Sequence, residues 1–292
     1  MGRLDGKVAL IVGASPNNGG TTAHFMAREG AKIVANDLVP ESGEETAEFI
    51  RSRGYDAIAL PGDASDAEQV QAVVNQTVEH FGKIDILVNM AGRQYRWAVW
   101  DVNIYDWERQ LKGYLTGGML TTKYVSRVMM EKGIRGSIIH IVSDAGHQGE
   151  AGNSGYSAAK GGLLNFCRAA AMDLAHLGIR VNTISPTYVE HNMWRFGGVA
   201  SLRTRHRVTA DDFLKGIPLG RFCRASDVAY AAIFLGSEES TFMTGCDIPL
   251  DGGARSKYWA WVPGQFTGID AQEYYENATQ TKYGVPIDEL EQ

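Results

Sequence analysis

The chain has 292 residues, of which 44% are apolar, and a net charge of −6. That length supports one large α/β domain with a substantial core, and that composition excludes wholesale disorder. The acidic balance speaks against a basic nucleic-acid surface, and no apolar run approaches the about 18 residues of a membrane-spanning helix.

The opening stretch "MGRLDGKVAL" lacks a signal-peptide core, and Gly6 stands where myristoylation uses Ser or Thr. Cys167, Cys223 and Cys246 are far apart and odd in number, which predicts free thiols in a reducing cytoplasm. No CxxC or HExxH spacing occurs, so no protein-built metal site is expected.

Short β-branched runs alternate with helical patterns along the chain. A strand is expected over 8–12, a helix over 19–29, a strand over 32–35 and a helix over 41–53. A strand at 57–60 and a helix at 66–81 follow, then a strand at 84–88 and one long helix from about 106 to 130. The series closes with a strand at 137–142, a helix at 154–177, strands at 179–184 and 246–250, and a helix at 227–235 between them. Strands joined through helices require crossover connections, hence a doubly wound parallel sheet with helices on both faces. Residues 1–253 read as one domain, and 254–292 as an aromatic carboxyl-terminal extension. Tyr258, Trp259 and Trp261 make that tail too apolar for a disordered end, and it is expected to cover the substrate cleft or a neighbouring subunit.

The loop "GASPNNGG" at 13–20 links the first strand to the first helix, where open parallel sheets bind ligands. Gly13 supplies a tight turn, and Gly19 lets backbone reach an anion at the helix amino terminus. Asn17 stands where a glycine is usual, and is expected to tolerate left-handed backbone. Pro16 has no amide, so phosphate donors are expected from Asn18, Gly19 and the hydroxyls of Ser15 and Thr21. Asp37 ends the second strand and suits the ribose hydroxyls of NAD, while no Lys or Arg lies at 38–40 to receive the 2′-phosphate of NADP. Asp63, after the third strand, is expected either to touch adenine or to cap the next helix.

Tyr156 and Lys160 in "YSAAK" share one helix face. A nearby ammonium favours the phenolate, which lowers the tyrosine from its free pKa of about 10 and lets it exchange a proton with an alcohol. Ser143, at the end of the fifth strand, is placed to hold the same oxygen.

The glycine loop, Asp37, "NMAG" at 89–92, Ser143, Tyr156 and Lys160 occur in an order that resembles the short-chain dehydrogenase/reductase family. The resemblance spans about 5–253 and includes "RVNTISP" and "TGCDIPLDGG". It implies a Rossmann-type sheet of about seven strands, NAD as cofactor, Tyr156 as general acid/base, Lys160 on the nicotinamide ribose, and Ser143 orienting substrate. It also implies that Ala64, Asn89, Ala91, Gly92, Pro186 and Val189 line the cofactor, and that the protein is a homotetramer or dimer. Three departures stand out. Val12, Asn17 and Asn18 alter the glycine loop; Thr187 and His191 alter the segment after the sixth strand; and Tyr114 occupies the place of a catalytic asparagine. Tyr114 is therefore expected in the cleft, its hydroxyl near Lys160 or substrate.

The substrate loop falls at about 190–215, with Met193, Trp194 and Phe196 as an apolar wall and Arg93, His147 and Tyr188 as further pocket candidates. Arg195, Arg203, Arg205 and Arg207 lie without an acidic neighbour and read as a solvated face or as an attractor of an anionic substrate tail. The expected activity is interconversion of a bulky cyclic or steroid-like secondary alcohol and its ketone. A non-redox lyase or isomerase, and a weakly active NAD(H)-binding sensor, are the alternatives.

Overall fold

The computed structural model describes residues 2–190 and 210–257. Its backbone divides into two compact units, Met1–Ala254 and Arg255–Gln292, and the sheet belongs to the first.

The strands are β1 (Val8–Val12), β2 (Lys32–Asp37), β3 (Ala57–Pro61), β4 (Ile86–Asn89), β5 (Ser137–Ile141), β6 (Arg180–Pro186) and β7 (Asp247–Leu250). They form one seven-stranded sheet in the order β3-β2-β1-β4-β5-β6-β7, with every neighbouring pair parallel. The strand order reverses between β1 and β4, which opens a crevice at the carboxyl edge of the sheet.

The helices are α1 (Asn18–Arg28), α2 (Pro40–Arg51), α3 (Ala67–Phe81), α4 (Ile104–Gln110), α5 (Gly117–Glu131), α6 (Ser154–Ala175), α7 (Ala210–Lys215) and α8 (Ala225–Gly236). All five residues of β1 are buried, because helices cover both faces of the sheet. Ala9 and Ile11 point into the layer under α1, α2 and α8, whereas Leu10 and Val12 point into the layer under α3, α5 and α6. Each fully buried Leu or Ile in these layers contributes about 1.5–3 kcal/mol of transfer free energy.

Several boundaries differ from the sequence expectation, for local reasons. The fourth strand starts at Ile86 rather than Ile84, since the Asp85 carboxylate accepts the Val8 amide at 2.8 Å and sets where pairing begins. Asp66, not Asp63, caps α3, its carboxylate accepting the Glu68 and Gln69 amides at 3.0 Å each. The helix expected at 227–235 begins two residues earlier, at Ala225, because the Asp227 carboxylate accepts the Arg224 amide at 2.8 Å. The expected long helix near 106–130 is three pieces: α4, a π-helical turn at Leu111–Thr116, and α5.

Candidate active site

The carboxyl ends of β1, β2, β4, β5 and β6 gather the sequence-selected residues along one edge. At β1, Gly13 has φ +87°, and a Cβ there would lie 2.9 Å from the Ala91 amide nitrogen. A Cβ on Gly19 would lie 2.0 Å from the Gly13 carbonyl oxygen, so this glycine is required where α1 starts against the loop.

Asn17 does not adopt the left-handed conformation that was expected of it. Its φ is −150° and ψ −130°, and its side chain caps α1 by accepting the Gly19 amide at 3.3 Å. Among the described residues, only glycines have positive φ. The missing glycine thus leaves no backbone strain, because the carboxamide fills an ordinary N-cap role. The cap also engages the Gly19 amide that was expected to serve as a free phosphate donor. The Gly20 and Thr21 amides are bonded to the carbonyls of Ser15 and Asn17, both at 2.8 Å. Beside this loop the Asn18 carboxamide oxygen is buried without a hydrogen-bond partner among the described residues.

Asp37 lies at the end of β2, directly beside the loop. Burial holds its carboxyl above the usual range, opposed by amide hydrogen bonds from Val39, Ser15 and Leu38. Asp63 accepts the amide and hydroxyl of Ser65, at 2.8 and 2.7 Å, which makes it a turn residue at the same edge. Behind it, Ala64 lines a cavity of about 10 Å³ with Leu10, Val12 and Asn36. Asn89 is buried; it accepts the Ala91 amide and donates to the Thr121 hydroxyl, both at 3.0 Å, and so ties β4 to α5.

These features fit a dinucleotide. The two glycines let the loop, the start of α1 and the Ala91 backbone pack closely at the strand ends, and a half-buried carboxylate stands at the next strand end with no Lys or Arg at 38–40. Pro186 closes β6, and Val189 is buried where its segment meets Cys223.

The second cluster forms around α6. The Ser143 hydroxyl lies close enough to Tyr156 to act on its pKa, and Ser143 itself caps the turn after β5 by accepting the Ala145 amide at 3.2 Å. Lys160 is 3% exposed and donates to the Ile141 carbonyl at 2.6 Å. Its Nζ lies 5.7 Å from the centre of the Tyr156 ring. Tyr114, from the π-helical turn, is also brought in. Its ring meets Tyr156 edge-on with centroids 5.1 Å apart, and Lys160 Nζ lies 4.4 Å from its centroid. Tyr114 is thus in the cleft beside Lys160, as expected; among the described residues its hydroxyl makes no hydrogen bond, and its ring face is what lies toward Nζ.

In the protein alone, burial dominates the electrostatics of this pair. Burial pushes Tyr156 up to about 12, and the nearby Ser143 hydroxyl only partly offsets this. Burial also lowers Lys160 to about 7. The ammonium therefore does not by itself bring the phenol down, because both groups sit in the same poorly solvated pocket and the desolvation cost of a phenolate dominates.

The substrate candidates divide. Tyr188 donates its hydroxyl to Glu150 Oε1 at 3.1 Å, and Arg96 pairs with the same carboxylate oxygen at 2.7 Å. The charges of Glu150 and Arg96 both act on Tyr156. Neither Arg96 nor Glu150 was singled out from the sequence; they are 54 positions apart and carry no motif. His147 is turned onto Ser185 and Asp247, at 3.1 and 3.0 Å, so that ring nitrogen is engaged. Arg93 is exposed and lies 5.6 Å from the Tyr95 ring centre. Trp194, His191, Met193, Phe196, the arginines at 195–207 and the aromatic tail from 258 onward lie outside the described residues.

A family model described as "Enoyl-(Acyl carrier protein) reductase" matches residues 14–255. The chain belongs to the short-chain dehydrogenase/reductase family. Among curated relatives, the trans-4-hydroxycyclohexanecarboxylate dehydrogenase of Sinomonas cyclohexanicum is 37% identical over 257 residues, covering 86% of this chain and 93% of that protein. The cis-4-hydroxycyclohexanecarboxylate dehydrogenase of the same organism is 34% identical over 248 residues, covering 85% and 96%. Among solved structures, that of an NAD⁺-bound xylitol dehydrogenase matches with a TM-score of 0.81 at 33% identity, covering 86% of this chain and 99% of that one. As a short-chain dehydrogenase/reductase the protein is an oxidoreductase, of a family that works with NAD or NADP. Among the described residues, no helix is long and apolar enough to cross a membrane.

Proposed function

We propose that this protein is an NAD-linked dehydrogenase/reductase that interconverts a ring-borne secondary alcohol and its ketone. The observation that carries this reading is the half-buried Tyr156 phenol, with the Ser143 hydroxyl close enough to lower its pKa and Lys160 Nζ 5.7 Å from its ring centre. NAD, when bound, supplies the acceptor or donor of the hydride. Gly13, Ser15, Asn17, Asn18 and Gly19 form the loop that would hold its pyrophosphate end, and Asp37 would accept from the adenosine ribose hydroxyls. Asp63, Ala64, Asn89, Ala91, Gly92, Pro186 and Val189 lie at the same carboxyl edge and would line the bound cofactor.

The chain's own chemistry is then proton transfer at one oxygen. Ser143 orients the substrate oxygen and Tyr156 gives or takes its proton. Lys160 steadies the phenolate and reaches the nicotinamide ribose. In the protein alone the proton rests on Tyr156, whose pKa is near 12, so ketone reduction begins from the protonation state already present. Arg96, Glu150 and Tyr188 form a polar group, and the charges of Arg96 and Glu150 act on Tyr156. The two hydroxycyclohexanecarboxylate relatives support a ring alcohol as substrate, and such acids are the first compounds to try.

The cofactor assignment rests on Asp37. A carboxylate at the end of β2 accepts from ribose hydroxyls and repels a 2′-phosphate. Comparison of kcat/KM for NAD and NADP tests it: a clear NAD preference is expected, narrowed in Asp37→Ser. Equal values, or an NADP preference in the wild type, contradict it.

A further inference from the structure

The apolar pattern near 106–130 reads as one helix, but the chain opens it into a π-helical turn at Leu111–Thr116. Such turns accommodate an extra residue and recur at functional sites. Tyr114 is the buried residue of this turn. Its place is set from several sides. Gly92 has φ +142°, and a Cβ there would lie 2.2 Å from two atoms of the Tyr114 ring, so the ring rests directly on that backbone. The Tyr156 ring meets it edge-on at 77°.

Lys160 has three donors, of which the Ile141 carbonyl takes one. Among the described residues, no carboxylate forms an ion pair with it. A buried ammonium without a counter-charge needs another source of negative potential, and an aromatic face within about 6 Å supplies one. Tyr114 is the nearer of the two rings, with Nζ 4.4 Å from its centroid against 5.7 Å for Tyr156.

We propose that Tyr114 is a positioning residue whose ring face holds the Lys160 ammonium beside Tyr156 through a cation–π contact. The inference rests on the proposed reading of Tyr156 and Lys160 as the proton-transfer pair. The ring, not the hydroxyl, performs this task. It keeps Lys160 charged in a pocket that otherwise favours the neutral amine, and it fixes Nζ between the Ile141 carbonyl and the phenol.

The surroundings make the titration of Lys160 readable. The titratable groups around it are Tyr114 from the π-helical turn, Tyr156 and Cys167 from α6, and His140 from β5. Burial raises both tyrosines and the thiol and lowers His140 to about 3, so all four are uncharged near neutral pH. Asp144, Glu150 and Arg96 act on Tyr156, and Asp247 acts on Cys167.

The test is a pH titration of Lys160 by NMR of the full-length protein labelled with ¹³Cε-lysine, without substrate. The signal is assigned with Lys160→Met, and folding of each variant is checked by thermal melting. Tyr114→Phe keeps the ring face and should titrate with the wild type. Tyr114→Leu removes it and should lower the Lys160 pKa by about one unit, the size of a desolvated cation–π contact. If the Leu variant does not fold, Tyr114→Met, a flexible filler, is read by the same criterion. A ringless variant that titrates with the wild type overturns the proposal, as does a Phe variant that falls with Leu. Because no substrate is present, absence of alcohol turnover would count against the function above and not against this contact.

Discussion

The glycine loop and the cluster around Tyr156 share one edge of the sheet but are built in opposite ways. In the loop the stabilising partners are close in sequence: Asn17 caps Gly19, and Ser15 receives the Gly20 amide. The cluster draws Gly92, Tyr114, Ser143, Tyr156 and Lys160 from four segments, joined through a shared buried pocket. A locally satisfied loop absorbs a substitution by re-pairing, as Asn17 does with its carboxamide. A cluster assembled over distance depends on helix register, and the π-helical turn sets that register for Tyr114.

The most disruptive way to break the loop is to fill its cradle. Gly19→Ala places a Cβ 2.0 Å from the Gly13 carbonyl oxygen, a backbone atom that can yield only by moving the loop. Overpacking of this kind costs about 1–3 kcal/mol, and nucleotide affinity should fall with stability. Chemical denaturation and NAD titration measure both. A Gly19→Ala protein equal to the wild type in each would show that the loop is looser than its packing indicates.

The same contrast explains what the sequence made legible. The parallel sheet was readable because each strand is an apolar run separated from the next by a helical period or a crossover. Ser143, Tyr156 and Lys160 were readable because they fall at a strand end and on one helix face. Element ends were less legible where a side chain decides them, as Asp85 does for β4 and Asp227 for α8. Tyr188 was singled out as a pocket candidate, but its partners Arg96 and Glu150 had no local signal, because a loop after β4, a loop after β5 and the segment after β6 meet only in the fold. Tyr114 was legible as a residue of the cleft, but not which part of it would be used. Its ring faces Lys160 through a helical irregularity that the apolar pattern does not announce.

A smaller effect sharpens the comparison from the buried side of the cluster. His140 lies on β5 beneath Lys160; its Nε2 is 2.8 Å from the Thr122 hydroxyl, while its Nδ1 is buried without a partner among the described residues. Burial, with a smaller contribution from Lys160, lowers its pKa to about 3. An unfolded histidine titrates at about 6.5. As pH falls from there toward 3, the unfolded chain takes up a proton that the folded protein refuses, so stability is lost. The contribution is at most about 1.4 kcal/mol per pH unit. Denaturation midpoints across that range should fall more steeply for the wild type than for His140→Asn. Equal slopes would mean that His140 is solvated and not part of the closed pocket.

The claim that Tyr156 moves the substrate proton is tested most directly by Tyr156→Phe, assayed for NAD binding and for turnover of a ring alcohol. The substitution removes one oxygen and leaves the edge-on ring contact with Tyr114 available. The account predicts unchanged folding and nucleotide affinity with kcat lower by about 10²–10⁴-fold, the usual contribution of a general acid/base. A variant that keeps more than about a tenth of wild-type kcat would contradict it.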